Sequence, residues 1–370
     1  MNIIYISNSI IPSRNANSIH VMKMCYAFAK NGNNITLYSK KENSNDVEYN
    51  YYGVKDIFEI CRFSVFPIKK VDSLIYALQI KAHMRKNPIP DLFYGRNILG
   101  LLCASSFNKP IIYEAHAIPN TYIRKLLEEY LFNNKNFKSL VVISQALKEA
   151  YLRLWPFLKN KNIIVAADGA DIPLDSNREQ IYLIGNEGKV KIGYVGHLYP
   201  GRGIDLIINL AEGLDSHEFH LIGGTEEDIR LWQEKTKNIK NIFFYGYISN
   251  GDLFNYYHEM DILLAPYEKK VSVAGGAGDT SKWMSPLKIF EYMSYKKPMI
   301  VSDMPVLREV LKNEHNCILS DPEDIESWKR AIELLINNSN ICEYISENAY
   351  KDFINNYTWT KRAENVLDQL

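Results

Sequence analysis

Ile3-Ile4-Tyr5-Ile6-Ser7 is a near-continuous apolar run, Val21, Met24, Cys25 and Phe28 follow at helical spacing, and Ile35-Thr36-Leu37-Tyr38-Ser39 resumes as an extended segment. The first run suits a parallel strand buried on both faces, because an uninterrupted apolar string leaves no side for water. A polar stretch, Asn8 to Asn17, with Pro12 and Arg14, separates it from the helix, and Gly32 stands where that helix should stop. Strand, helix and strand in that order make a βαβ unit, the opening of a doubly wound sheet. Outward from it, strands are expected at Leu92 to Tyr94, Ile111 to Glu114, Leu140 to Ile143 and Ile163 to Ala166. A second, independent βαβ unit starts at Lys191 to Gly196. Its helix carries Ile204, Ile207, Ile208 and Ala211, the stripe of a helix lying on a sheet. Further strands are expected at His220 to Ile222, Ile242 to Tyr245, Ile262 to Ala265 and Met299 to Ser302, and a last helix begins within Tyr357 to Ala363. The polar, poorly periodic segment Ile172 to Gly188 reads as the linker. The fold class is therefore α/β, with two Rossmann-like doubly wound domains over residues 1–175 and 176–350 and a terminal segment, 351–370.

Composition agrees with two globular cores. The chain has 370 residues, 46% of them hydrophobic, and Lys+Arg and Asp+Glu number 43 each. Zero formal charge argues against a dedicated nucleic-acid binder. Five scattered cysteines without a CxxC pair read as reduced thiols of a cytoplasmic protein. No basic segment leads into an apolar one at the amino terminus, so no signal peptide is expected. No run of about 18 apolar residues is present to span a membrane.

The strongest chemical signal is Ser285-Pro286-Leu287-Lys288-Ile289-Phe290-Glu291-Tyr292-Met293, followed by Lys297-Pro298-Met299-Ile300-Val301-Ser302. It reads as a loop, a helix opening near Pro286, and a strand. A helix start offers free N–H groups and the positive end of a dipole, a ready diphosphate site. Lys288 in that first turn opposes the dipole unless an anion binds there. Glu291 lies one turn on; by itself it also suits a solvated helix face. The preceding Gly275-Gly276-Ala277-Gly278-Asp279-Thr280 is a loop that can approach a ligand closely or simply face solvent. Gly196-His197-Leu198-Tyr199-Pro200-Gly201-Arg202-Gly203 follows the second unit's first strand, where doubly wound sheets bind ligands. Gly223-Gly224 and Gly246-Tyr247-Ile248 end later strands. In the first half, Glu114-Ala115-His116 ends a strand, Arg96 follows another, and Asn17 and His20 open the first helix. Each of these also admits a structural part.

Taken together these segments resemble the donor-site signatures of family 4 glycosyltransferases, most closely from about Lys191 to Glu309 and more loosely before Asp171. The resemblance implies the GT-B fold, two Rossmann-like domains facing each other across a cleft, with a terminal helix crossing back to the first. It implies a retaining, metal-independent transfer from a nucleotide-sugar donor, with no cofactor. Arg202 and Lys288 would neutralise the diphosphate and Glu291 would hold the ribose. His197, Gly196, Gly223, Gly224, Tyr247, Ile248, Ser285, Pro286 and Leu287 would line the donor, with Tyr247 and Ile248 flanking the base. His116 would meet the transferred sugar, and Asn17, His20, Arg96 and Glu114 the acceptor. Two positions depart from the pattern. Trp283 stands where the family's first Glu is expected, leaving Glu268 or Asp279, beside Thr280, to reach the sugar, and His197 stands where the family has Arg.

The acceptor class implied is a saccharide or lipid-linked saccharide. A basic and aromatic region, Arg62 to Lys86, including Phe63, Phe66, Lys69, Lys70, Tyr76, Lys81 and Arg85, would allow peripheral contact with the cytoplasmic face of the inner membrane. Lysine- and asparagine-rich usage points to an AT-rich bacterial genome, hence to surface polysaccharide assembly. Two alternatives share this architecture, a nucleotide-sugar epimerase and a non-catalytic sugar-binding protein. A dinucleotide-dependent oxidoreductase is disfavoured, since neither first loop carries GxGxxG.

Overall fold

The structure is a computed structural model that describes residues 1–13, 15–41, 49–64, 72–173, 181–249, 251–272 and 278–369. The chain forms two compact units, Met1–Asp168 with Trp359–Leu370, and Gly169–Thr358.

In the first unit the apolar runs become buried parallel strands: β1 (Asn2–Ile10), β2 (Asn34–Lys41), β3 (Glu59–Ser64), β4 (Leu92–Gly95), β5 (Ile111–Ala115), β6 (Phe137–Val142) and β7 (Asn162–Val165). Their order is β3-β2-β1-β4-β5-β6-β7. Helix α1 (Ala16–Lys30) buries Val21, Met24, Cys25 and Phe28, the stripe its spacing demands, and α2 (Asp72–Met84), α3 (Ile98–Ala104), α4 (Tyr122–Phe132) and α5 (Gln145–Leu154) complete the crossovers. Strand β1 runs past Ser7 to Ile10, so the loop is shorter than the polar composition of residues 8–17 implies. β3 escaped notice in the sequence because it is an edge strand, half-buried along its length, with no continuous apolar run.

The second unit repeats the plan with β8 (Lys191–Val195), α6 (Ile204–Gly213), β9 (Glu218–Ile222), α7 (Glu226–Lys235), β10 (Ile242–Gly246), α8 (Leu253–Glu259), β11 (Ile262–Ala265), α9 (Leu287–Ser294), β12 (Met299–Ser302), β13 (Ile318–Ser320), α10 (Ile325–Asn337) and α11 (Ser339–Asp352). Its order is β10-β9-β8-β11-β12-β13, all parallel. Three-residue β13 is too short to show a period. The core gathers Ile204, Ile207 and Ala211 of α6, Phe219 and Leu221 of β9, and fully buried Trp328 of α10, each large apolar side chain contributing roughly 1.5–3 kcal/mol. Part of the expected linker belongs here. Ile184 N donates to the Tyr245 hydroxyl at 2.9 Å and Asn186 N to the buried Glu218 carboxylate at 2.9 Å, while residues 174–180 lie outside the described set.

After α11, helix α12 (Trp359–Asp368) rejoins the first unit, burying Trp359, Arg362, Ala363 and Val366. The limits therefore fall at 168/169 and 358/359 rather than 175 and 350. Ala170 pairs with Thr358, so the two strands of chain that leave the second unit run side by side. On α2 Tyr76 points inward and donates to Ser7 O at 2.6 Å, and Phe63 packs edge-on against Tyr38 and His83. These two were expected on an outer face; the exposed apolar residues of α2 are Leu74 and Leu78, and Phe66, Lys69 and Lys70 lie outside the described residues.

Both sheets reverse strand order beside their first strand, between β1 and β4 and between β8 and β11. Loops leaving the carboxyl ends there splay apart and open a crevice. Gly203 sits in such a loop at φ +72, and an added Cβ would lie 1.8 Å from Pro266 O. Gly32 also has positive φ, +80, but nothing within 4 Å of its Cβ position. Gly203→Ala is expected to destabilise the protein by more than about 3 kcal/mol and Gly32→Ala by only about 1–2 kcal/mol. Denaturant titration compares them; equal losses would show the Pro266 contact to be relieved.

Candidate functional site

In the second unit the loop after β8 and the segment leading into α9 converge at the switch point. Arg202 and Lys288 both pack on the buried ring of Tyr267, which follows β11, at 5.6 and 5.4 Å from its centroid. Lys288 Nζ lies 3.7 Å from the centre of the Tyr194 ring, and Arg202 lies over Tyr199, donating to its hydroxyl at 3.0 Å. Aromatic faces attract cations without neutralising them. Among the described residues neither Lys288 Nζ nor Arg202 Nε has a hydrogen-bond partner, although both are buried atoms. Burial, and after it the charge of Arg202, push the Lys288 ammonium well below its ordinary range, with Glu291 opposing in part. An unpartnered buried cation beside a second one is costly unless an anion completes it. Lys288 is the second residue of α9, whose Pro286 cap supplies no side-chain acceptor, so the helix dipole adds to the same positive field.

Around this pair the expected donor residues take distinct parts. Gly196 and Gly223 directly follow β8 and β9, and Gly246 ends β10. Gly196 N donates to Ile222 O at 2.9 Å and Gly223 N to Gly246 O at 2.7 Å, and a Cβ on Gly223 would stand 2.1 Å from Gly196 O. Gly224 abuts Leu198. His197 stacks on Tyr199 at 5.0 Å, and burial followed by Arg202 and Lys288 lowers its pKa, which disfavours a third positive charge here. Partly exposed Glu291 accepts from the Tyr257 hydroxyl at 2.8 Å. Ser285, Pro286 and Leu287 lead into α9, half-buried, and Tyr247 and Ile248 lie half-buried just beyond β10. Asp279 Oδ1 accepts from Val271 N and Ser281 N, at 3.1 and 2.9 Å, and Thr280 bonds Val271 O through both N and hydroxyl, so these two pin their loop. Gly275, Gly276 and Ala277 lie outside the described residues. Glu268 Oε1 takes the backbone N–H groups of Gly201 and Gly203 at 3.2 and 3.3 Å.

The first unit holds a second cluster at the ends of β4, β5 and β7. Glu114, fully buried, accepts from Arg362 of α12 at 3.0 Å, lies 2.5 Å from His116 Nε2 and 2.8 Å from His20 Nε2 through the same Oε1, and takes the Tyr94 hydroxyl on Oε2. His20 Nδ1 lies 3.0 Å from Asp168. Burial alone would raise the Glu114 pKa; Arg362, then His20, overcome it and hold the carboxylate well below its usual range. Asp168 is likewise held down against its burial, chiefly by His20. His116 is partly exposed, and burial of its ring followed by the Arg96 charge pushes its pKa down to about 3. Arg96 bonds Asn17 across the β1/β4 switch point, and Asn17 donates to Ser9 at 2.7 Å. The sequence expectation gave His20 and Glu114 contact with the acceptor. The structure instead buries both: Glu114 is engaged by Arg362 and His116, and the His20 ring nitrogens lie within 2.8 and 3.0 Å of Glu114 and Asp168. Arg362 and Asp168 were missed. Arg362 had a signal, since it sits on the apolar stripe of α12 with Trp359, Ala363 and Val366. His20, Glu114 and His116 offer ligand atoms within 4.8 Å of one another, but the Arg362 guanidinium already lies on the shared oxygen and repels a metal ion.

Residues 178–352 match the family described as glycosyl transferases group 1. An uncharacterized glycosyltransferase of Methanocaldococcus jannaschii is 23% identical over 326 residues, 85% of each chain. The O-antigen chain mannosyltransferase of Salmonella typhimurium is 23% identical over 231 residues, 61% of this chain and 58% of its own. An Anabaena protein solved with UDP and glucose superposes with a TM-score of 0.73 at 14% identity, covering 99% of this chain and 98% of that one. The second unit thus carries the group 1 glycosyl transferase domain. The chain as a whole has the GT-B fold.

The unpartnered Lys288 gives a prediction about stability. Lys288→Met keeps the length and removes a buried amine that has no hydrogen-bond partner, so it should stabilise the ligand-free protein by about 1–3 kcal/mol. Thermal denaturation reads this directly. A lower melting temperature would mean that the ammonium is compensated in the free protein.

Proposed function

We propose that the protein transfers a sugar from a nucleotide-sugar donor to a hydroxyl of a saccharide or lipid-linked saccharide, with retention of anomeric configuration, in bacterial surface polysaccharide assembly. The observation that carries this reading is the pair Arg202 and Lys288 on Tyr267, two cations at a switch point with donor atoms left open. A diphosphate supplies the missing negative charge and grows more negative as the glycosyl bond breaks, so the same pair stabilises the leaving group. Glu291, held by Tyr257, is offered to the ribose hydroxyls. In the step proposed, the anomeric carbon–phosphate oxygen bond breaks, the acceptor oxygen bonds the same face, and the acceptor proton passes to the departing phosphate. Neutral His116 attends the sugar without repelling the developing positive charge. Fixed protein cations do what a metal would, so the reaction is proposed to need none. The UDP bound by the Anabaena protein and the O-antigen role of the Salmonella relative support the donor and context.

Isothermal calorimetry with UDP tests the donor site. Arg202→Ala should cost about 2–4 kcal/mol in transition-state stabilisation, read as kcat/KM, and Glu291→Gln should chiefly weaken UDP affinity. The arriving diphosphate should also draw a proton onto Lys288, whose free-state pKa is lowered, so binding enthalpy should vary with the ionisation enthalpy of the buffer. UDP affinity unchanged in both Arg202→Ala and Glu291→Ala would remove the assignment.

No helix among the described residues is long and apolar enough to cross a membrane. A lipid-linked acceptor is reached through peripheral contact at the cytoplasmic face, for which exposed Leu74 and Leu78, one turn apart on α2 above Lys81 and Arg85, are the proposed surface. Flotation with anionic phosphatidylglycerol vesicles at low salt should recover the protein and lose it for Leu74→Ser/Leu78→Ser. No co-flotation of the wild type would set the idea aside.

A further inference from the structure

We infer that Arg362 is a positioning residue: acting through Glu114, it fixes His116 as the Nε2–H tautomer and leaves Nδ1 as the acceptor offered to a ligand hydroxyl. This rests on the proposed placement of His116 at the transferred sugar, but its geometry stands on its own. The Arg362 guanidinium is clamped from several sides. It donates to Ala166 O at 3.2 Å, Ala167 O at 3.0 Å and Glu114 Oε1 at 3.0 Å, and Arg362 as a whole is 2% exposed. A charge so held keeps Glu114 ionised despite complete burial. An ionised carboxylate only accepts hydrogen bonds, so at 2.5 Å the His116 Nε2 must be the nitrogen that carries the hydrogen. The groups that face this ring are Glu114 of β5, His20 of α1 and Arg96 beyond β4, with Arg362 and Asp168 behind them. Burial and Arg96 keep the ring neutral. A neutral ring with hydrogen on Nε2 has its lone pair on Nδ1, and no described residue is seen to donate to that atom. His116 therefore recognises a donor such as a sugar hydroxyl and turns away groups that only accept.

Without the Arg362 guanidinium, burial dominates and Glu114 takes up a proton, and the resulting acid can donate to Nε2 and drive His116 to the Nδ1–H form. Long-range proton–nitrogen NMR on protein labelled with nitrogen-15 histidine, the His116 signals assigned from His116→Gln, reads the tautomer without substrate. The wild type should show a pyrrole-like Nε2 and a pyridine-like Nδ1 at neutral pH. Arg362→Met should shift that pattern toward Nδ1–H and lower kcat about tenfold or more, with donor KM within about twofold. Arg362→Lys, which keeps the charge, should recover the tautomer and most of the turnover. An Nδ1–H or doubly protonated His116 in the wild type overturns the inference, as does a folded Arg362→Met with wild-type tautomer and kcat. Should Arg362→Met fail to fold, the wild-type spectrum and Arg362→Lys decide. Failure of UDP to bind the wild type would refute the donor-site reading and leave the tautomer result untouched.

Discussion

Strand order governs the rest of this molecule. In an all-parallel sheet every carboxyl end lies along one edge, and right-handed crossovers force the order to reverse beside the first strand. Both sheets obey, with β1 against β4 and β8 against β11. The residues with unusual electrostatics follow from this. Arg96, His116 and Asp168 leave strand ends of the first sheet, and Arg202 and Tyr267 those of the second. Strand-end glycines serve the same constraint, since Gly223 meets Gly196 backbone to backbone where no Cβ fits.

The two edges differ in how charge is treated. The first unit closes its account internally, with Glu114 and Asp168 facing Arg362 and His20, every partner buried. Of this cluster, His116 is the member left partly exposed. The second unit does the reverse. Arg202 and Lys288 are walled by Tyr194, Tyr199 and Tyr267, which hold cations but carry no charge. The carboxylate nearest this loop in the hydrogen-bond pattern, Glu268, is spent on the N–H groups of Gly201 and Gly203. In a water-poor setting an arginine beside an unpartnered buried amine is a standing demand for an anion, which would favour the charged form of both.

Much of this was legible in the sequence, and the failures have physical reasons. Continuous apolar runs marked β1, β2, β8 and β11 because buried parallel strands admit little else. β3 and β13 carried no such mark, one being half-buried and the other three residues long. Arg202, Lys288 and Glu291 stand out in the sequence through the loops and helix that hold them. The tyrosines walling the cations do not, because nothing local separates Tyr267 from the other 24 tyrosines of the chain. His20 and Glu114 were read as ligand contacts since a polar residue near a strand end is ambiguous until burial is known. Arg362 could be noticed only as a cation on an apolar helix stripe, and its partner lies 248 residues away in sequence.

That separation ties the first unit's polar cluster to a helix far along the chain. Glu114 belongs to the fifth strand of the first sheet, yet its counter-ion arrives on a helix that follows the whole second unit. Until α12 docks, the carboxylate faces either water or an uncompensated burial that costs several kcal/mol. Docking of α12 therefore completes two things together, the apolar contact of Trp359, Ala363 and Val366 and the ionised state of Glu114. Neither is gained by halves, because an apolar helix face carrying an unpaired arginine is itself costly to bury. The first unit's polar cluster thus takes its final form only when the second unit's chain has been traversed, and the hydrogen-bonding state of His116 is set by the carboxyl-terminal helix.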